Sequence, residues 1–78
     1  MTIDHYHNYC EGEYSFVKNC ITRKNPFVIG SPKEIEHNAI QRLLGAGDLA
    51  QQMGVSYEEV EQEFNFYKEK IKKICETS

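Results

Sequence analysis

Several things are scarce in this chain, and each scarcity excludes something. Tryptophan is absent, and there are only two prolines and five glycines in 78 residues, so the sequence is neither collagen-like nor a low-complexity linker. No apolar run approaches the ~18–20 residues needed to span a bilayer. The opening Met1-Thr2-Ile3-Asp4-His5-Tyr6-His7 lacks the basic stretch and apolar core of a secretory signal, so the expected compartment is the cytoplasm. Cysteine occurs three times, at Cys10, Cys20 and Cys75. An odd, widely spaced set fits reduced thiols better than a disulfide framework. Positive charge is not in excess: nine Lys and Arg against twelve Asp and Glu give a net charge of −3, which argues against a surface built wholly as a nucleic-acid footprint. No glycine-rich phosphate loop and no triad-like order of residues is present, and a chain this short has little room for a pocket of ~300 Å³ or more. A non-enzymatic role without a cofactor is the expectation.

What is present is concentrated in the last third. Tyr57, Val60, Phe64, Tyr67, Ile71 and Ile74 are spaced by three or four, the pattern of one continuous helix with a narrow apolar seam. A helix over 57–75 would be a rod of roughly 28 Å at ~1.5 Å per residue. Its start is marked by the capping box Ser56-Tyr57-Glu58-Glu59. Glu58, Glu59, Glu61 and Glu63 fill its first turns and Lys68, Lys70, Lys72 and Lys73 its last. Both clusters complement the helix dipole, at ~0.3–1 kcal/mol per charge, so helix stabilisation is the simpler reading of them and a binding surface the other.

Upstream, Ser31-Pro32-Lys33-Glu34 is a second capping box with proline at the first helical position. Ile35, Ala39, Leu43 and Leu44 are the expected buried face of a helix over 32–44, with Ile40 at its edge. Gly45-Ala46-Gly47 is expected to end it, and a short helix over 48–53 to follow, capped by Asp48 and stopped by Gly54. Residues 1–30 read as an N-terminal extension. It carries one short helix, about 13–22, with Tyr14, Val17 and Ile21 on one face. Residues 1–12 are expected to be loose and polar. Lys24-Asn25-Pro26 breaks the pattern, and Phe27-Val28-Ile29 suits an extended connector. The fold class expected is a mainly α small helical bundle with short extended N-terminal segments and a trihelical domain over 31–76.

The run Asp48-Leu49-Ala50-Gln51-Gln52-Met53-Gly54-Val55-Ser56-Tyr57-Glu58-Glu59-Val60 resembles a helix-turn-helix. Ala50 is small enough for a close crossing, Gly54 suits a left-handed turn, and Leu49, Met53, Val55 and Val60 would hold the pair to the preceding helix. The likeness covers about residues 32–65, a trihelical, repressor-like unit. It implies that the second helix of the pair enters the DNA major groove. The bases would then be met by Ser56, Tyr57, Gln62 and Asn65, with Lys33 and Arg42 on the backbone. Charge departs from that pattern. Residues 56–65 hold four carboxylates and no basic residue, whereas neutralising phosphates with Lys and Arg drives DNA affinity.

Two functions from different classes follow. The preferred one is a small protein-binding, regulatory module. Its acidic helix start would meet a basic partner through Tyr57, Glu58, Glu61, Gln62, Asn65 and Phe66, even to the point of imitating DNA and inhibiting what binds it. The alternative is a small dimeric helix-turn-helix regulator of transcription. A homodimer would use the second half of the seam, Tyr67, Ile71 and Ile74. His5, His7 and Cys10 carry zinc-binding side-chain types, but they lack a paired CxxC or HxxxH, and no metal is expected.

Overall fold

The computed structural model describes residues 2–23 and 31–76. They form three helices, α1 (Ile3–Arg23), α2 (Pro32–Gln52) and α3 (Tyr57–Glu76), with no strand among the described residues. The expected small helical bundle is what the chain builds. Lys24-Asn25-Pro26 and the connector Phe27-Val28-Ile29 lie outside the described residues.

Each helix packs against the other two. Tyr6 meets Leu43 while Glu13 meets Arg42, so α1 and α2 run antiparallel. His7 meets Glu63 and Tyr14 lies against Tyr67, so α1 and α3 run in the same direction. The described residues measure 38 × 21 × 16 Å. A helix of about 20 residues spans ~30 Å, so all three must lie along the long dimension.

α1 is where structure and sequence expectation differ most. The helix expected over 13–22 starts at Ile3, and the residues expected to be loose and polar supply part of the core. Tyr6, Cys10 and Val17 are fully buried, with Ile3, Tyr14 and Ile21 packed beside them. The stripe 3-6-10-14-17-21 is a regular apolar face once Cys10 is read as a small hydrophobe. Thr2 caps the helix through its carbonyl, which accepts the His5 and Tyr6 amides. Its own N–H is accepted by the His5 ring at 3.3 Å, so histidine takes the place that Glu fills in a capping box. Glu11-Gly12-Glu13 does not interrupt the helix, and a Cβ at Gly12 would meet nothing within 4 Å; this glycine faces outward and costs only helix propensity.

The helices expected over 32–44 and 48–53 are one. α2 passes through Gly45-Ala46-Gly47 without a break, and Gly47 is there for closeness instead of for a turn. A Cβ on it would stand 2.9 Å from Val60 Cγ1 and 3.2 Å from the Tyr6 hydroxyl. The absent side chain lets α1 and α3 approach α2 at the centre of the bundle. Continuity also turns Leu49 and Met53 outward: both are exposed and do not hold a second arm to a first. Leu44, expected in the buried face, is 45% exposed.

The ends of α2 and α3 are where the sequence places them. The Ser31 side chain accepts the Glu34 amide, and the Ser56 hydroxyl accepts the Glu59 amide, each at 3.3 Å. At the C-terminus of α2, Val55 N–H donates to the Ala50 carbonyl and Gly54 N–H to that of Gln51. This is a Schellman pattern, with Gly54 at φ +102° and Val55 and Ala50 both buried. α3 then buries Val60, Tyr67, Ile71 and Cys75. Among the described residues no helix is long and apolar enough to cross a membrane.

Candidate functional site

The antiparallel α2–α3 pair leaves a groove with a volume of about 210 Å³. Tyr6, Leu43, Gly47 and Val60 form its floor; Leu44, Asp48 and Gln51 form one wall; Tyr57, Glu61, Phe64 and Asn65 form the other. The floor closes tightly at Gly47, whose missing side chain lets Tyr6 and Val60 come in against it. It is held rigid by the Tyr6 hydroxyl, which crosses the core and donates to the Leu43 carbonyl at 3.0 Å. Burial, followed by the neighbouring Cys10, keeps the Tyr6 phenol protonated. The four-residue turn after α2 brings Tyr57 to the rim, where it is 62% exposed.

Of the residues expected to meet a protein partner, Tyr57, Glu61 and Asn65 line the groove. Glu58, Gln62 and Phe66 are also exposed but follow one another at i, i+4 and i+8, a stripe outside the groove wall. Phe66, 57% exposed, lies edge-on to Tyr67 at 5.2 Å between ring centroids. The Lys70 ammonium lies over it at 5.1 Å and over Tyr14 at 4.4 Å, so this aromatic stripe is partly covered by a cation.

The residues grouped for DNA are less close together. Arg42 donates through Nε to Glu13 Oε2 at 2.9 Å and lies over the Phe16 ring. The guanidinium therefore has an internal partner, and the bond to Glu13 raises its pKa. Lys33 is at the start of α2, the end that lies beside the C-terminal half of α3, because the two helices run antiparallel. Gly47, opposite Val60 in α3, is fourteen residues further along, roughly 20 Å at ~1.5 Å per residue. Ser56, Tyr57, Gln62 and Asn65 are exposed.

His5, His7 and Cys10 do not converge. On a helix, residues 5 and 7 are about 200° apart. The His5 ring caps its own helix, and Cys10 is fully buried. No group of three or more His, Cys, Asp or Glu side chains among the described residues is placed to hold a metal. Burial pushes the Cys10 thiol up to about 11, which leaves it protonated and unreactive near neutrality. Cys20 and Cys75 are buried too, and burial also raises Cys75.

His7 instead joins α1 to α3. Its Nδ1 lies 2.9 Å from Glu63 Oε2, while Nε2 lies 3.5 Å from the Tyr67 hydroxyl and 3.8 Å from Glu11. The hydrogen bond to Glu63 raises the imidazole pKa, against a smaller opposing effect of burial. Of the three residues expected to meet a second copy, Tyr67 and Ile71 are buried within one chain and Ile74 is half-buried.

Leu44, Asp48, Gln51 and Phe64 were not grouped as site residues from sequence. The signal that could have found them is register: once α2 runs on to Gln52, Leu44, Asp48 and Gln51 fall at i, i+4 and i+7 on one face, and Phe64 already belongs to the apolar seam of α3. Compared with family models, with curated proteins and with solved structures, the chain matches none of the three.

Proposed function

We propose that the chain is a non-enzymatic, protein-binding module that recognises a basic partner through the first half of α3 and the α2 residues facing it. The observation that carries this reading is the charge on the walls of the α2–α3 groove, above its apolar floor. Asp48 and Glu61 stand on opposite walls and no Lys, Arg or His lines it. Neither carboxylate is ion-paired among the described residues. Glu58 extends the same negative surface toward solvent, and Tyr57 adds a half-apolar, half-polar contact of the kind enriched where proteins meet. A duplex approaching this face would encounter carboxylates before any cation, which removes the term that drives DNA affinity. A basic protein surface is steered toward it.

Replacing Glu58 and Glu61 by glutamine tests the reading. Affinity capture with the wild-type chain is expected to retain a basic protein that is released by salt, and the double variant, still folded though slightly lower in melting temperature for want of two charges at the start of α3, is expected to lose it. Equal capture by both, or micromolar binding of the wild type to random-sequence duplex at low salt, contradicts the reading.

A further inference from the structure

We infer that the α2–α3 groove seats an amphipathic helix of a partner protein, which inserts one large apolar side chain and lays a Lys or Arg, one turn away, against Asp48 and Glu61. The inference rests on the protein-binding reading above and narrows it to one site and one kind of occupant. Size comes first. A cavity of ~150 Å³ lined by aliphatic and aromatic groups holds a benzene ring, so about 210 Å³ accommodates one leucyl or phenyl side chain. Length comes next. The α2 wall runs from Leu44 to Gln51 and the α3 wall from Tyr57 to Asn65, each roughly 10–12 Å at ~1.5 Å per residue. That is about two helical turns, the footprint of anchors at i, i+3 or i+4, and i+7. A helix in this place also completes the packing of an antiparallel pair, as a fourth rod does in a four-helix bundle.

Charge chooses the occupant. An apolar side chain alone would suit another part of the molecule equally well: Tyr9, Phe16, Leu49 and Met53 are all exposed on α1 and α2. Arg42 on α2 and Glu13 on α1 satisfy each other, so that pair does not select the sign of a partner. In the groove the apolar floor lies between two carboxylates that carry no ion pair among the described residues, and a cation one turn from the anchor is drawn toward both.

The test uses the full chain and defined peptides. Three synthetic helical peptides are titrated: one with leucine at i and arginine at i+4, one with alanine for the leucine, and one with glutamate for the arginine. Binding is followed by amide shifts in nitrogen-resolved NMR. The first peptide is expected to perturb Leu44, Gly47, Tyr57, Glu61 and Asn65, and each altered peptide to bind at least about tenfold more weakly, as loss of an anchor does. Leu44→Ala, at a half-exposed position, should weaken the first peptide while leaving the spectrum otherwise folded. Shifts confined to Glu58, Gln62 and Phe66 overturn the groove and leave the protein-binding reading standing. The same holds if no peptide binds at millimolar concentration while the salt-released partner is still captured. Indifference to the leucine also overturns the inference.

Discussion

At the scale of single residues, two glycines two positions apart in α2 stand in opposite surroundings. Gly47 is where a Cβ would meet Val60 at 2.9 Å, whereas a Cβ on Gly45 would meet nothing within 4 Å. The two glycines should therefore respond oppositely to alanine. Gly47→Ala forces the three helices apart and is expected to destabilise by about 1–3 kcal/mol, the usual cost of overpacking a core. Gly45→Ala is expected to stabilise by up to ~1 kcal/mol, because it replaces a poor helix former on an exposed surface. Urea unfolding of the two variants beside the wild type measures both. Equal destabilisation would mean that the helix is interrupted at 45–47 after all. Gly47 also shows why this part was not legible in sequence. Gly-Ala-Gly is the same string whether the glycines turn a chain or bring two helices together. Only the position of Tyr6, forty-one residues earlier, separates the two cases.

Among elements, legibility followed capping chemistry. Ser31-Pro32 and Ser56-Tyr57-Glu58-Glu59 announced the starts of α2 and α3, because the serine hydroxyl satisfies an amide that the helix itself cannot. Gly54 announced the turn between them. α1 carries a weaker start signal, with Thr2 and His5 in place of Ser and Glu, and its stripe contains Cys10, which a search for large apolar residues passes over. The candidate site was half legible. Glu61 and Asn65 follow from the exposed side of an amphipathic helix, whereas Tyr57 opens the apolar seam by spacing and is 62% exposed because it stands at the helix start; the opposing wall required knowing that α2 runs straight on past Leu44.

The α1–α3 contact has a consequence for pH. Bonding to Glu63 raises the His7 pKa above its ordinary 6.5. A group whose folded pKa exceeds its unfolded one contributes stability that is complete below the unfolded pKa and is lost as pH rises through the folded value. The wild type should therefore melt above His7→Gln by the widest margin below about pH 6.5, and the margin should shrink as pH rises past the raised His7 value. The imidazole is partly open to water, so the margin is modest and should fall further with salt. A margin that grew with pH would contradict the assignment of Glu63 as the partner.

Taken as a whole, the molecule is a bundle in which one helix closes a hairpin. α1 lies against α3 and sets His7 and Tyr14 on Tyr67, and Tyr67 and Ile71 are both buried within one chain. What remains on the α2–α3 side is the groove with its two opposed carboxylates. In the binding role proposed above, the sign of charge on this groove decides which partner is held. The direct measurement is peptide affinity for the wild type and for the double variant Asp48→Lys, Glu61→Lys, at low salt and again at high salt. The wild type should prefer the arginine-bearing peptide over its glutamate counterpart, the variant should reverse that order, and salt should narrow both preferences. An order unchanged by the double reversal would contradict the claim.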